Sequence, residues 1–461
     1  LADYDLIVLG SGVGGYVAAI RAGQLGMKTA VVEKDENVGG VCLNWGCIPS
    51  KSLLRNAEVL SLIKDASEWG VSFDNLQYDF GKAVDRSRKV VRRLTNGVGF
   101  LLKKNNVEVI KGTGSIKAQG TIAVEETGAS YTTNNIIIAT GARARELPNI
   151  PVDGKVVVTS RDAIVMKEAP SKVVIIGGGA IGVEFADIYH AYGADVTIVE
   201  LLPRLVPLED EDMSKQLERS FKRKGINFMT DSKVDSVTVD GEEAKVTISN
   251  GSGTTEIDCD RVLVSIGVVG NVENIGLEAL GVAVERGRII IDDEMKTNVP
   301  GIYAIGDVSG KLPLAHVASA QGVTAVEVMA GMNPPTLDYT VMPRATYCRP
   351  QIASMGLTEA QAREQGYSVR IGQFPFSASG KAMALNEVDG MAKLVVDEEV
   401  GEIIGAHIIG PEATELLGEI GMTKLLEGTT AELGWLVHPH PTISEAIKEA
   451  ALAADGQAIN I

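Results

Sequence analysis

Asp5-Leu6-Ile7-Val8-Leu9-Gly10-Ser11-Gly12-Val13-Gly14-Gly15 is the stretch that decides the fold. Its short apolar run reads as a buried parallel strand. Gly10-x-Gly12-x-x-Gly15 follows at once, and Tyr16 to Leu25 has helical periodicity. Lys28 to Val32 is a second strand, closed by Glu33. Strand, G-x-G-x-x-G, helix, strand and acid, in that order, form the dinucleotide-binding fingerprint in its required context. Gly10 makes the turn, Gly12 admits a pyrophosphate to the backbone, Gly15 packs helix on strand, and Glu33 suits ribose hydroxyls.

The pattern then repeats. Val173 to Ile176 is a strand, Gly177-Gly178-Gly179-Ala180-Ile181-Gly182 a second glycine-rich turn, and Val183 to Tyr192 a helix. Asp195 to Val199 is a strand ending in Glu200. Gly10 to Glu33 and Gly177 to Glu200 span the same 23 positions. Two such units imply two nucleotides held at once, and a hydride passed between them. A carboxylate at Glu200 bonds a free ribose 2′-hydroxyl and repels a 2′-phosphate, which favours NAD over NADP although Arg204 is near.

Between the two units lies Gly39-Gly40-Val41-Cys42-Leu43-Asn44-Trp45-Gly46-Cys47-Ile48-Pro49-Ser50-Lys51, with two of the chain's four cysteines. A distorted helix start can bring such a pair within disulfide reach, and orphan N–H groups there favour thiolate. This reads as a pair that opens and closes. Zinc would want a second pair, and Cys259 and Cys348 stand alone, as core or surface thiols.

The 461 residues suggest about three domains. A formal charge of −17 argues against nucleic acid and anionic membrane surfaces. No uncharged apolar run approaches the ~18 residues of a span, and Leu1 to Asp5 leads straight into a strand without a signal-peptide pattern. Sparse cysteine fits a reducing compartment: the cytoplasm, or the mitochondrial matrix in a eukaryote.

Ser52 to about Lys104 reads as basic helices, and Asn106 to Val124 as short strands. Asn135 to Ala139, then Thr140-Gly141, is a core strand or a backbone crossing beside a cofactor. Lys233–Val239 and Ala244–Ser249 suggest a hairpin. Gly301 to Asp307 is a strand feeding Gly-Asp. Asp307 is either an N-cap or a carboxylate awaiting a donor such as a flavin ribitol hydroxyl. A helix starts near Ala315. Residues 332–339 form a linker, and an α+β unit follows. His438-Pro439-His440-Pro441-Thr442-Ile443-Ser444-Glu445 holds two of five histidines, with no third metal ligand nearby. Thr442-x-x-Glu445 reads as a capping box; equally, His440 reads as a base oriented by Glu445.

Taken together and in order, these motifs closely resemble the dihydrolipoamide dehydrogenase branch of the pyridine nucleotide-disulfide oxidoreductases, over essentially the whole chain. The resemblance implies an α/β chain of two Rossmann-like domains (three-layer ββα type) and a C-terminal α+β dimerisation domain. The boundaries are 1–144 for FAD, 145–266 for NAD, 267–338 completing the FAD site, and 339–461 for the interface. It implies that Cys42 exchanges with substrate and that Cys47 faces the flavin as thiolate. Lys51 would lie near the flavin edge, paired with Glu184. Gly10, Gly12, Gly15, Glu33, Gly114, Thr140, Gly141, Asp307 and Ala315 would bind FAD. Gly177, Gly179, Gly182, Glu200 and Gly267 would bind NAD. His440, backed by Glu445, would act from the second subunit of a homodimer. The partner would be the lipoyl domain of a 2-oxo acid dehydrogenase or glycine cleavage complex. One departure is Ile266-Gly267-Val268-Val269-Gly270-Asn271, where the family has Ile-Gly-Arg-x-Pro-Asn.

Glutathione reductase and mercuric reductase share the cysteine motif. The first would show Arg where Glu200 and its followers stand; the second would carry a C-terminal cysteine pair, where this chain ends Gln457-Ala458-Ile459-Asn460-Ile461. A purely structural subunit or a nucleotide sensor would have no use for an intact cysteine pair together with His440 and Glu445.

Overall fold

A computed structural model describes residues 2–461. The opening strand, Tyr4–Leu9, lies in a parallel sheet between Thr29–Glu33 and Ser130–Ile138. Glu108–Lys111 extends that sheet beyond Thr29–Glu33, and Ile302–Ala304 pairs with Ser130–Ile138. Leu6, Ile7 and Val8 are all 0 % exposed, so this strand is buried on both faces, which is why its sequence shows no alternation. The helices Val13–Gln24 and Ala315–Met329 pack together: Cβ atoms at Gly14 and Gly322 would meet the opposing helix backbone at 2.9 and 2.8 Å.

The second parallel sheet has the order Val157–Thr159, Arg261–Val264, Lys172–Ile176, Asp195–Val199, Asn227–Met229. Beside it stands an antiparallel sheet of Ser232–Asp240, Glu243–Asn250 and Gly253–Cys259. The first two of these strands are the predicted hairpin. The third escaped because its first four residues are all exposed, so it shows no apolar alternation. Both helices after the glycine-rich turns begin three residues before the predicted start, at Val13 and Ala180. Glycine carries no side-chain periodicity, so the turn's share of each helix is silent in the pattern.

Two chain crossings join the parallel sheets. Ala142–Ala144 pairs antiparallel with Val268–Gly270, and Thr140 Oγ1 donates to Asn271 O (2.8 Å). After residues 332–338, which carry no regular element, comes a five-stranded antiparallel sheet in the order Arg344–Thr346, Gln351–Gly356, Ile403–Gly410, Met391–Asp397, Val369–Pro375. On one face Ala392, Leu394, Val396, Ala406 and Ile408 share a core with Leu417 and Ile420 and with Ala446, Ile447 and Ala450 of the helix Glu445–Ala454. No helix among the described residues is long and apolar enough to cross a membrane.

Candidate active site

The two glycine-rich turns superpose in physical logic, not only in spacing. Gly10 and Gly177 have φ of +98° and +106°, which a side chain would strain. A Cβ on Gly15 would lie 2.0 Å from Gly10 O, and one on Gly182 would lie 2.0 Å from Gly177 O. A Cβ on Gly12 or Gly179 would meet no protein atom within 4 Å. The outer glycines are therefore demanded by the protein's own packing; the middle ones leave a bare cradle that suits a pyrophosphate. Glu33 and Glu200 are buried and carry part of the turn itself. Glu33 accepts from Ser11 N (2.9 Å), Ser11 Oγ (2.5 Å) and Asp35 N (2.8 Å). Glu200 accepts from Gly178 N (2.6 Å) and Leu202 N (2.8 Å). A carboxylate accepts about four hydrogen bonds, so each retains capacity for a ribose hydroxyl.

Asp307 sits in the short helix Gly306–Ser309 that follows the strand Ile302–Ala304. Its carboxylate takes no hydrogen bond from the described residues, and burial pushes its pKa up. Such a group fits a cofactor hydroxyl. Ala315 opens the helix that faces the first turn. Thr140, Gly141 and Gly267 lie at the sheet crossing, where Asn271 N donates to Gly141 O and Arg145 N to Gly267 O, both at 2.9 Å. Gly114 packs inward: its Cβ would meet Leu9 Cδ2 at 2.7 Å and Val32 Cγ1 at 3.0 Å. In place of the family's Arg, Val268 belongs to the two-stranded pairing, and Arg143 reaches across it to Glu273 (2.9 Å).

The cysteine stretch is bound to the first turn. Gly39 N donates to Ser11 O (2.9 Å), and a Cβ on Gly40 would lie 2.6 Å from Gly12 Cα. Cys42 falls in the short helix Gly40–Asn44, and Cys47 begins the helix Cys47–Lys64. Both thiols are free and half-buried, and each is the largest influence on the other's titration. The neighbouring Cys42 thiol draws the Cys47 thiol down to about 7, helped by Lys51 and the backbone and opposed by burial. Cys42 moves the other way, because Cys47 stands beside it, burial disfavours its charge and a second thiolate would repel the first. Of the two, Cys47 is the sulfur that more readily carries the charge.

Lys51 Nζ contacts Glu184 Oε1 at 2.9 Å and Oε2 at 3.0 Å, and lies 4.4 Å from the Tyr347 ring centroid. Tyr347 N donates to Glu184 Oε1 (3.0 Å). Tyr347 was missed in the sequence reading; its neighbour Cys348 is a buried core thiol, and nothing local marks the tyrosine. Arg88, whose Nη1 donates to Asn44 O (2.6 Å), and Arg161, stacked 4.0 Å over Trp45, also brace the stretch without a sequence signal.

The two C-terminal histidines do different work. His438 is buried against Glu419 (3.0 Å). The His440 side chain is 79 % exposed, with Nδ1 at 2.9 Å from Glu445 Oε1. Thr442 N donates to Glu445 Oε2 (2.8 Å), so one carboxylate meets a backbone donor and the imidazole together. Burial raises the Glu445 pKa, but these two bonds outweigh it and leave it lowered. The capping box is not formed: the helix N-cap is Ser444, and Thr442 Oγ1 bonds Pro439 O and Ser444 Oγ. Within one chain no hydrogen bond or ion pair among the described residues links His440 or Glu445 to the cysteine pair.

The family described as Pyridine nucleotide-disulphide oxidoreductase matches residues 4–322, and its dimerisation domain matches residues 342–451. The chain belongs to the pyridine nucleotide-disulphide oxidoreductases. Among similar proteins of this family are the dihydrolipoyl dehydrogenases of Bacillus subtilis (46 % identical, 99 % of each chain) and Zymomonas mobilis (47 %, 100 % of each). Among solved structures, LpdA of Mycobacterium tuberculosis matches with a TM-score of 0.89 at 26 % identity, over 97 % of this chain and 98 % of that one. The HOCl-induced flavoprotein disulfide reductase RclA of Escherichia coli, as a Cu(II) complex, matches at 0.88 and 25 %, over 98 % and 99 %. The cofactors of this oxidoreductase family are FAD and NAD(H), and the two bare cradles, the two buried acids and the unpartnered Asp307 suit a pair of dinucleotides.

Proposed function

We propose that this chain is a dihydrolipoyl dehydrogenase, which oxidises protein-bound dihydrolipoyl groups to lipoyl through the Cys42–Cys47 pair and delivers the electrons to NAD⁺. The observation that carries the reading is the placing of the two sulfurs: Cys47 opens the helix Cys47–Lys64, whose N-terminus and Lys51 favour a thiolate, while Cys42 lies in the separate short helix Gly40–Asn44. In disulfide exchange the sulfur with the lower pKa leaves faster. A substrate thiolate attacking Cys42 expels Cys47, which is stable as thiolate near pH 7; attack on Cys47 would expel Cys42, whose thiol is pushed up. Exchange is therefore directed to Cys42.

The sequence of bonds follows. His440, oriented through Nδ1 by Glu445, takes a proton from one dihydrolipoyl sulfur on its exposed Nε2. The resulting thiolate bonds to Cys42 Sγ as the Cys42–Cys47 bond breaks, and Cys47 keeps the electron pair. The second substrate sulfur then attacks the first, lipoyl closes, and Cys42 leaves and is reprotonated. The substrate loses two electrons and the pair gains them, which leaves Cys42 as thiol and Cys47 as thiolate. A FAD held beside Cys47 would supply the two-electron chemistry that links this thiolate to NAD⁺. Gly10, Gly12, Gly15, Glu33, Asp307 and Ala315 would hold FAD, with Gly114, Thr140 and Gly141 beside them. Gly177, Gly179, Gly182, Glu200 and Gly267 would hold NAD. Lys51, neutralised by Glu184, supports the Cys47 charge.

His440 points to solvent and away from any bond to its own thiols, which supports its action from the partner subunit of a homodimer joined through residues 339–461. Residues 1–144 with 267–338 would form the FAD unit, since Ile302–Ala304 lies in the first sheet; residues 145–266 would form the NAD unit. The partner would be a lipoyl domain, in the cytoplasm. Steady-state rates with dihydrolipoamide and NAD⁺, set against glutathione disulfide and Hg(II) with NADH and NADPH, test the assignment. The expected preference is for dihydrolipoamide and NAD⁺; faster glutathione disulfide reduction with NADPH would overturn it.

A further inference from the structure

The loop that follows Glu200 is held from outside its own sheet. It runs from the strand Asp195–Val199 to the helix Glu211–Lys224. Val206 N donates to Gly178 O (2.8 Å), and a Cβ on Gly178 would fall 2.6 Å from Leu205 Cδ2. Loop and second glycine-rich turn are therefore packed as one piece. Yet Val206 stands at φ +44°, a costly conformation for a β-branched residue. The loop does not adopt this shape from its own propensity.

Part of the restraint is internal, with Leu205 N donating to Glu218 Oε1 (3.0 Å) and Asp231 N to Leu202 O (3.1 Å); the C-terminal sheet supplies the rest. Lys393, on the interior strand Met391–Asp397, is 2 % exposed. Its Nζ lies 2.9 Å from Asp210 Oδ1, 2.6 Å from Asp212 Oδ2 and 2.9 Å from Glu359 Oε2. Asp210 Oδ2 also accepts from Glu359 N (3.1 Å), Gln373 Nε2 donates to Asp212 Oδ2 (3.1 Å), and Arg344 Nη1 donates to Leu208 O (3.2 Å). A buried ammonium among carboxylates is a poor device for stability alone, because well-packed apolar groups do as well or better. Its geometry is specific, and what it specifies is where the loop ends.

We propose that Lys393 is a positioning residue for the nicotinamide dinucleotide: through Asp210 it sets the loop Leu201–Glu209 against Gly178 and Glu200 from the unit that matches the family's dimerisation domain. This rests on reading the second glycine-rich turn as the dinucleotide site. Lys393→Met keeps the side-chain length and removes the charge. In the full-length holoenzyme, NADH-dependent ferricyanide reduction should show the NADH KM raised about tenfold, the size of an ordinary coupling between sites. Neither kcat nor the KM for dihydrolipoamide should change more than about twofold. Hydrogen exchange should quicken at the Leu205, Val206 and Glu209 amides and stay unchanged in the strand Ile403–Gly410. Lys393→Arg, which retains the charge, should restore most of the NADH KM.

An unchanged NADH KM, or equal rises in both KM values, would overturn the proposal. Should Lys393→Met not fold, Arg344→Ala removes only the contact to Leu208; it should raise the NADH KM and speed exchange in the same loop, and no change in either would overturn the proposal too. Ferricyanide reduction needs no dihydrolipoamide, so a wrong substrate assignment leaves this result standing. The exchange data read the restraint with no nucleotide present.

Discussion

Cys42→Ala removes the largest single cause of the low Cys47 pKa. The Cys42 thiol beside it and Lys51 hold Cys47 at about 7, against an ordinary value of 9.0. That difference corresponds to about 3 kcal/mol favouring the thiolate. Without the Cys42 thiol, burial acts against Lys51 and the backbone alone, and the thiol returns to its ordinary range. At pH 7 the thiolate fraction then falls from about one half to about one hundredth. A more basic thiolate is also a better nucleophile, with a Brønsted slope of about 0.4–0.5, which returns roughly eightfold. The net expectation is a slowing of Cys47 alkylation by about sixfold at pH 7, with the two profiles crossing near pH ~8 and the variant faster above it. Iodoacetamide labelling of the reduced enzyme across pH, with Cys47 resolved by peptide mass spectrometry, measures this; the buried Cys259 and Cys348 serve as internal controls. A midpoint that stays near 7 in Cys42→Ala would refute the reasoning and transfer the effect to Lys51 and the helix terminus.

The same labelling separates the signs of Lys51 and Glu184: Lys51→Met should raise the Cys47 midpoint and Glu184→Gln should lower it, because the two charges act on the thiolate in opposite senses. His440→Gln should cut dihydrolipoamide turnover by about 10²–10⁴, the range of a lost proton-transfer group, while NADH-to-dye transfer persists. Gly12→Ala should leave the Tm of the FAD-stripped protein unchanged but retain less FAD, read as the ratio of visible to ultraviolet absorbance. Gly15→Ala should lower the Tm itself, since its methyl meets Gly10 O. Because the folded Cys47 pKa lies below its unfolded value, the reduced protein binds fewer protons folded than unfolded between about pH 7 and 9. Its stability relative to Cys47→Ser should therefore rise with pH across that window and be lost below it.

The parts of the sequence that could be read are those where one residue type is forced by a local clash. Gly15 and Gly182 are glycine because another side chain would strike a carbonyl, and such positions keep their spacing. The cysteine pair was legible for a similar reason, as its chemistry needs two sulfurs beside a helix start. Where a residue's role depends on a distant strand, the sequence is silent. Lys393 interrupts an apolar run, and its three carboxylates stand at positions 210, 212 and 359. Glu33 was expected to serve a ribose, and most of its hydrogen-bonding capacity goes to Ser11 and Asp35. The capping box at Thr442 had the right letters, but the helix begins three residues later, at Glu445.

The close approach of Gly40 to Gly12, with Gly39 clasped to Ser11, joins the sulfur pair to the floor of the first cradle as a single rigid body. Nothing there needs to hinge, slide or close for electrons to cross from sulfur to a nucleotide seated in that cradle. Turnover should then be paced by the arrival and departure of the two diffusing reactants and by proton movement, and it should follow solvent viscosity more closely than any internal breathing of the chain.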